Sequence, residues 1–145
     1  MRKNLLAALA LLATAAVPAM AQGPAREPIG PSTATLTPAI RVGNMVYASG
    51  QLGLSRNPAD TTIQAQTRLA LESTKRVLEM AGATMENAVR CTVFIVEAAD
   101  FRGMNEAYSA FWPVSPPARS TVVVKALVVP NAKVEIECMA ITGGR

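Results

Sequence analysis

The sequence predicts an α+β domain in which one mixed β-sheet carries two helices packed on one face. Three observations lead there. Apolar and small residues recur at helical spacing from Ile63 to Ala81. Apolar and polar residues alternate strictly from Val134 to Met139. The segments follow the order strand, strand, helix, strand, helix, strand, strand, which reads as two related halves, each with a helix returning the chain to a common sheet. The second face of that sheet has no cover from its own chain, which points to an oligomer.

Taken in order, the chain opens on an address. Arg2 and Lys3 precede a Leu/Ala run from Leu5 to Ala16, Pro18 breaks it, and Ala19-Met20-Ala21 places small residues before Gln22. Residues 1–21 therefore read as a secretory signal peptide, and the mature protein is expected to be secreted or periplasmic. The apolar run is short for a membrane span and has no polar helix face, so a retained anchor or a surface helix is the lesser reading. Residues 22–31, with Gly23, Pro24, Pro28, Gly30 and Pro31, read as a flexible N-terminal arm, and 32–145 as one domain.

Thr33 to Arg41 alternates and reads as a short strand interrupted by Pro38. Val42-Gly43-Asn44 turns it, and Met45 to Ser49 returns. After a loop from Leu52 to Ala59, Asp60 or Thr61 is positioned to cap a helix. Its stripe is Ile63, Thr67, Ala70, Leu71, Thr74, Val77, Leu78 and Ala81, with Glu72 and Arg76 spaced as an i, i+4 pair and Gly82 as the terminator. The β-branched run Ala88 to Glu97 reads as a buried strand. Asp100 can cap a second helix with Phe101, Met104, Tyr108 and Phe111 on one face, stopped by Pro113. Ser120 to Val129 and Ala132 to Thr142 complete the sheet.

Composition bounds the chemistry. A chain of 145 residues allows one domain. It contains no histidine, which removes a His-based triad, His acid–base catalysis and His metal ligands. Its two cysteines cannot build a four-Cys zinc site, and no C-x-x-C pair or phosphate-binding G-x-x-x-x-G-K-S/T loop is present. Both cysteines lie in apolar strand-like runs, where two buried free thiols are the favoured reading; export permits a Cys91–Cys138 disulfide only if their strands are neighbours. The net charge of +4 falls to +2 when Arg2 and Lys3 leave with the leader. With one Trp, two Tyr and three Phe, that balance argues against a nucleic-acid partner. Function must rest on Arg, Glu, Ser, Thr, Asn and backbone groups.

Three segments carry chemistry-bearing side chains. Pro117-Ala118-Arg119-Ser120-Thr121 leads into a strand, so Arg119 and Thr121 share a face. A guanidinium fixed there offers a planar fork for a carboxylate, where the plain reading is a surface arginine or an ion pair. Lys133-Val134-Glu135-Ile136-Glu137 puts two carboxylates on the face away from Val134 and Ile136, as a half-exposed strand would; the functional reading is a carboxylate that holds or deprotonates water. Ser49-Gly50-Gln51 ends a strand, where glycine admits a close ligand and Ser49 can donate; an ordinary strand-end turn has the same residues. Asn105 borders the apolar stripe of the second helix, where an amide can cap backbone groups or face a cleft.

The series Ile29-Gly30-Pro31, Gly43-Asn44-Met45-Val46-Tyr47-Ala48-Ser49-Gly50-Gln51, Gln64 to Arg68, Thr92-Val93-Phe94, Met104 to Tyr108, Pro117-Ala118-Arg119-Ser120 and Val134-Glu135-Ile136-Glu137 resembles the RidA/YjgF family of enamine/imine deaminases, from Ile29 to the C-terminus. The resemblance implies a chorismate-mutase-like fold, a homotrimer with clefts between subunits, and hydrolysis of short-lived 2-imino acids to 2-oxo acids and ammonia without metal or organic cofactor. By position it makes Arg119 the carboxylate-binding residue and Glu135 the water-positioning base on an adjacent strand, with Ser49 and Asn105 as polar cleft residues. Ser32 stands where these enzymes usually have tyrosine and Thr121 where they usually have cysteine, so both are expected to shape substrate choice. The competing expectation is a non-catalytic extracytoplasmic trimer that binds small carboxylates or hydrophobic clients. A ribonuclease, an activity attributed to some relatives, fits a chain without histidine poorly.

Overall fold

The computed structural model describes residues 23, 25–55, 57 and 61–143. The expected leader and the candidate cap Asp60 lie outside the described residues. Strands β1 (Arg26–Ile29), β2 (Ala39–Val42), β3 (Met45–Ala48) and β4 (Gln51–Leu52) precede helix α1 (Ile63–Met80); then come β5 (Ala88–Ile95), α2 (Phe101–Ser109), β6 (Ala118–Val123) and β7 (Val134–Ile141). They form one seven-stranded sheet in the order β1-β2-β3-β7-β5-β6, with β4 also paired to β7. Every pairing is antiparallel except β5 with β6. Parallel neighbours need a crossover, and α2 supplies it. Helix α1 crosses over in the same way from β4 to β5, which flank β7 and both run against it.

The helix α1 stripe is buried as its spacing requires, from Ile63 through Thr67, Ala70, Leu71, Thr74, Val77 and Leu78 to Ala81. Its cap is Thr62, one residue beyond the expected pair: the Thr62 hydroxyl accepts from the Ala65 amide at 3.1 Å. Gly82 ends it at φ +79°, donating to the Glu79 carbonyl. Arg76 bonds the Ser73 hydroxyl at 2.7 Å instead of pairing with Glu72, while Lys75 and Glu79 form the i, i+4 pair at 3.9 Å. The alternation of β7 is equally regular, with Val134, Ile136, Cys138 and Ala140 buried against the helices.

Several elements differ from expectation. Within the arm expected at 22–31, Arg26–Ile29 pairs with β2, fastened by the Arg41–Glu27 ion pair at 2.6 Å. The strand expected over Thr33–Arg41 begins only at Ala39; before it the Thr33 hydroxyl accepts from the Leu36 amide and holds a turn. Strand β6 stops at Val123, because its partner β5 ends at Ile95 in the same register. Asp100 does not cap α2 with its side chain; it takes an ion pair from Lys133 at 3.3 Å. Phe101 is exposed, and Trp112 is buried in its stead, its indole donating to the Met85 carbonyl at 2.7 Å.

Cys91 and Cys138 are directly opposed on β5 and β7 and joined as a disulfide, fully inside the core. Gln66 is a second internal tie. Buried on α1, it donates to the Asn131 carbonyl at 3.0 Å and accepts from the Lys133 amide at 2.8 Å, pinning the loop that feeds β7. Gln66→Leu orphans both backbone groups and should destabilise the fold by about 1–3 kcal/mol, measurable by urea denaturation at fixed protomer concentration. Among the described residues no helix is long and apolar enough to cross a membrane.

Candidate active site

Strand register decides where the candidate side chains point. Cys91 and Val93 are buried under the helices, and their neighbours on β6 are Arg119 and Thr121. Arg119 and Thr121 thus face the helices too. Glu135 aligns with Phe94 and Glu137 with Thr92, on the opposite face. Arg119 and Glu135 are not on adjacent strands, since β5 runs between them, and one chain holds them on opposite sides of its sheet.

Two separate clusters result. On the helix side, the Arg119 guanidinium lies 4.6 Å from the centre of the Tyr108 ring, with Nη1 3.9 Å from the Met104 sulfur, a weak acceptor. It makes no ion pair among the described residues. It lines a cleft of about 430 Å³ with Asn105, Tyr108, Trp112, Pro116 and Pro117, so two of the expected polar residues meet there. Thr121 lies two residues further along, its hydroxyl buried without a partner among the described residues. The Tyr108 hydroxyl is likewise buried without a partner among those residues. Burial pushes that phenol up to about 12, against a smaller lowering by Arg119.

On the other side, Glu135 lies beside the Ser49-Gly50 strand end, and Ser32 is tied to that strand end through Thr37. The Ser49 hydroxyl donates to the Thr37 carbonyl at 2.6 Å, and the Ser32 hydroxyl bonds that of Thr37 at 3.0 Å. The Glu135 carboxylate lies against Gly50, where an added Cβ would collide with it. Absence of a side chain at Gly50 therefore lets the carboxylate sit over the strand-end backbone. Gly50→Ala should displace Glu135 and lower any turnover that depends on it by about 10²-fold while leaving the melting temperature within a few degrees. Steady-state kinetics beside a thermal melt checks this. The collision is with the end of a flexible side chain, so the backbone need not move.

Sequence reasoning placed Met104 and Tyr108 only in the apolar stripe of the second helix and passed over Trp112. The i, i+4, i+8 spacing of the three on one face was the available signal, but nothing local showed that Arg119 would reach that face.

A family model described as endoribonuclease L-PSP matches residues 28–142. The chain belongs to the RidA/YjgF family. It is similar to a protein named 2-iminobutanoate/2-iminopropanoate deaminase from Dermatophagoides farinae, 37% identical over 120 residues, covering 81% of this chain and 90% of that one. It is 38% identical over 105 residues to the chloroplastic Reactive Intermediate Deaminase A of Arabidopsis thaliana, covering 70% of this chain but only 56% of the plant protein. Among solved structures, E. coli TdcF with bound serine superposes with a TM-score of 0.72 at 31% identity, covering 81% of this chain and 100% of that one. Yeast Mmf1 gives a TM-score of 0.75 at 26% identity, covering 81% of this chain and 99% of that one. The RidA/YjgF sheet with two helices on one face is thus the fold of this chain, and the names of its relatives support a RidA-type deaminase at the level of the family.

Proposed function

We propose that this RidA-family protein hydrolyses 2-imino acids to 2-oxo acids and ammonia, as an extracytoplasmic homotrimer whose sites form between protomers. The observation that carries the proposal is Arg119: a half-buried guanidinium at a cleft, without any carboxylate partner among the described residues. An unneutralised fork in that setting suits a small carboxylate.

Because one chain separates Arg119 from Glu135, the reading requires the helix-side cluster of one protomer to meet the Ser49–Glu135 cluster of the next. Two features support such a meeting. Strand β6 is the edge of the sheet, which puts Arg119 at a boundary. The uncovered face exposes Tyr47 and Val122, apolar surface that a neighbouring copy would bury. Edge-to-face contact is heterologous and closes when repeated as a ring.

In the assembled cleft Arg119 holds the substrate carboxylate. Water adds to the C=N carbon while Glu135 takes its proton. That proton passes to nitrogen to give the carbinolamine, whose hydroxyl proton then moves by way of Glu135 to the departing nitrogen as the C–N bond breaks and C=O forms, releasing ammonia and leaving the 2-oxo acid. Asn105, Thr121, Ser49 and Ser32 border the substrate, the last with a small hydroxyl that leaves room for its side chain. Imines hydrolyse unaided, so positioning and base catalysis of about 10²–10⁴-fold suffice. Residues 1–21 and the Cys91–Cys138 bond both fit an oxidising compartment outside the cytoplasm.

The test is ammonia release from freshly generated 2-iminobutanoate by protein lacking residues 1–21, beside Glu135→Gln. Loss of turnover in the variant with retained 2-oxobutanoate binding is the expected result. Equal rates with and without wild-type protein, with binding intact, would instead leave a carboxylate-binding trimer.

A further inference from the structure

We infer that Tyr108 is a positioning residue for Arg119, holding the guanidinium by its face so that its N–H edge stays free for an anionic ligand. The inference rests on Arg119 as the carboxylate anchor proposed above, and it adds how that anchor is kept in place. A cleft arginine is usually held by an acidic side chain, which fixes it but occupies the same N–H groups a substrate needs. Here no acid takes that part among the described residues. The Tyr108 ring lies 4.6 Å from the guanidinium carbon, and the only side chain accepting from it among the described residues is the Met104 sulfur. An aromatic face attracts the cation without using its hydrogen bonds.

The ring is itself held on its other sides. Tyr108 is 4% exposed, and the Trp112 ring packs against it with centroids 4.8 Å apart. Trp112 is anchored in turn by its indole bond to the Met85 carbonyl. Met104, Tyr108 and Trp112 follow one another at four-residue spacing on one face, so α2 and the turn after it offer Arg119 a rigid platform. The phenol is neutral at ordinary pH, and burial pushes its pKa further up, so it does not neutralise the cation above it. Its hydroxyl has no partner among the described residues, and the contact with Arg119 is made by the ring face.

The test compares Tyr108→Leu with Tyr108→Phe in protein lacking residues 1–21. Removing the ring should raise KM for 2-iminobutanoate, and Kd for 2-oxobutanoate, by about 3–30-fold with kcat within about twofold. The phenylalanine variant should recover most of the lost affinity, a rescue that a role for the hydroxyl would not give. Unchanged KM and Kd in Tyr108→Leu would overturn the inference. Should Tyr108→Leu fail to fold, the wild-type protein still answers by NMR. The Arg119 side-chain signal, identified by its disappearance in Arg119→Gln, should show an upfield ring-current displacement; a signal at the free-arginine position would overturn the inference. Absence of imine hydrolysis by wild-type protein would defeat the proposed function alone, since 2-oxobutanoate binding and the Arg119 signal do not depend on turnover.

Discussion

Arg119→Ala should lower kcat/KM for imino-acid hydrolysis by about 10²–10⁴-fold, because two charge-assisted hydrogen bonds of about 1.5–3 kcal/mol each are lost together. The fold should survive. Arg119 sits near the start of an edge strand, makes no ion pair among the described residues, and leaves behind only a ring face and a thioether, neither of which is a stranded charge. Arg119→Lys should recover part of the binding but not most of it. An ammonium keeps the charge, yet it lacks the planar fork and stacks less well on Tyr108. The measurement is ammonia release against the uncatalysed rate, with a thermal melt of each variant. Full activity in Arg119→Ala would remove the carboxylate anchor and with it the proposed mechanism.

Cys91→Ala/Cys138→Ala should cost more stability than Gln66→Leu, about 2–5 kcal/mol, or about 10–20 °C in melting temperature. The bond closes a loop of sequence separation 47, and it joins β5 to β7 at the centre of the sheet. Both cysteines are at most 2% exposed, so the folded protein should resist reductant until it opens. Alkylation in denaturant without reductant should find no free thiol, and prior reduction should expose both. Melts must be compared at one protomer concentration, since the proposed assembly would itself shift the midpoint. Two free thiols in protein purified from an oxidising compartment would refute the expectation. The disulfide also adjoins both strands that carry candidate residues: Cys91 neighbours Arg119 on β6, and Cys138 lies three residues beyond Glu135 on β7. Loss of the bond is therefore expected to raise KM at temperatures well below the melt.

Helix α1, the strands around Gly43-Asn44 and the alternation of β7 were legible because each is set by local spacing. A stripe from Ile63 to Ala81 has one helical solution, and Val134, Ile136 and Cys138 share a face whatever they pair with. The segments that carry Arg119, Thr121, Glu135, Ser49 and Asn105 were legible as well, through residue type and order. Which of these side chains meet was not. Parity within β6 ties Arg119 to Thr121, but only its parallel register with β5 turns that pair toward the helices, opposite the face to which the alternation of β7 already turns Glu135. The same pairing stopped β6 at Val123, made a strand of Arg26–Ile29, and brought Cys91 opposite Cys138. Spacing along a chain specifies which face of its own element a side chain occupies. Pairing between distant segments specifies what that face looks onto, and a shift of one residue in register would reverse it.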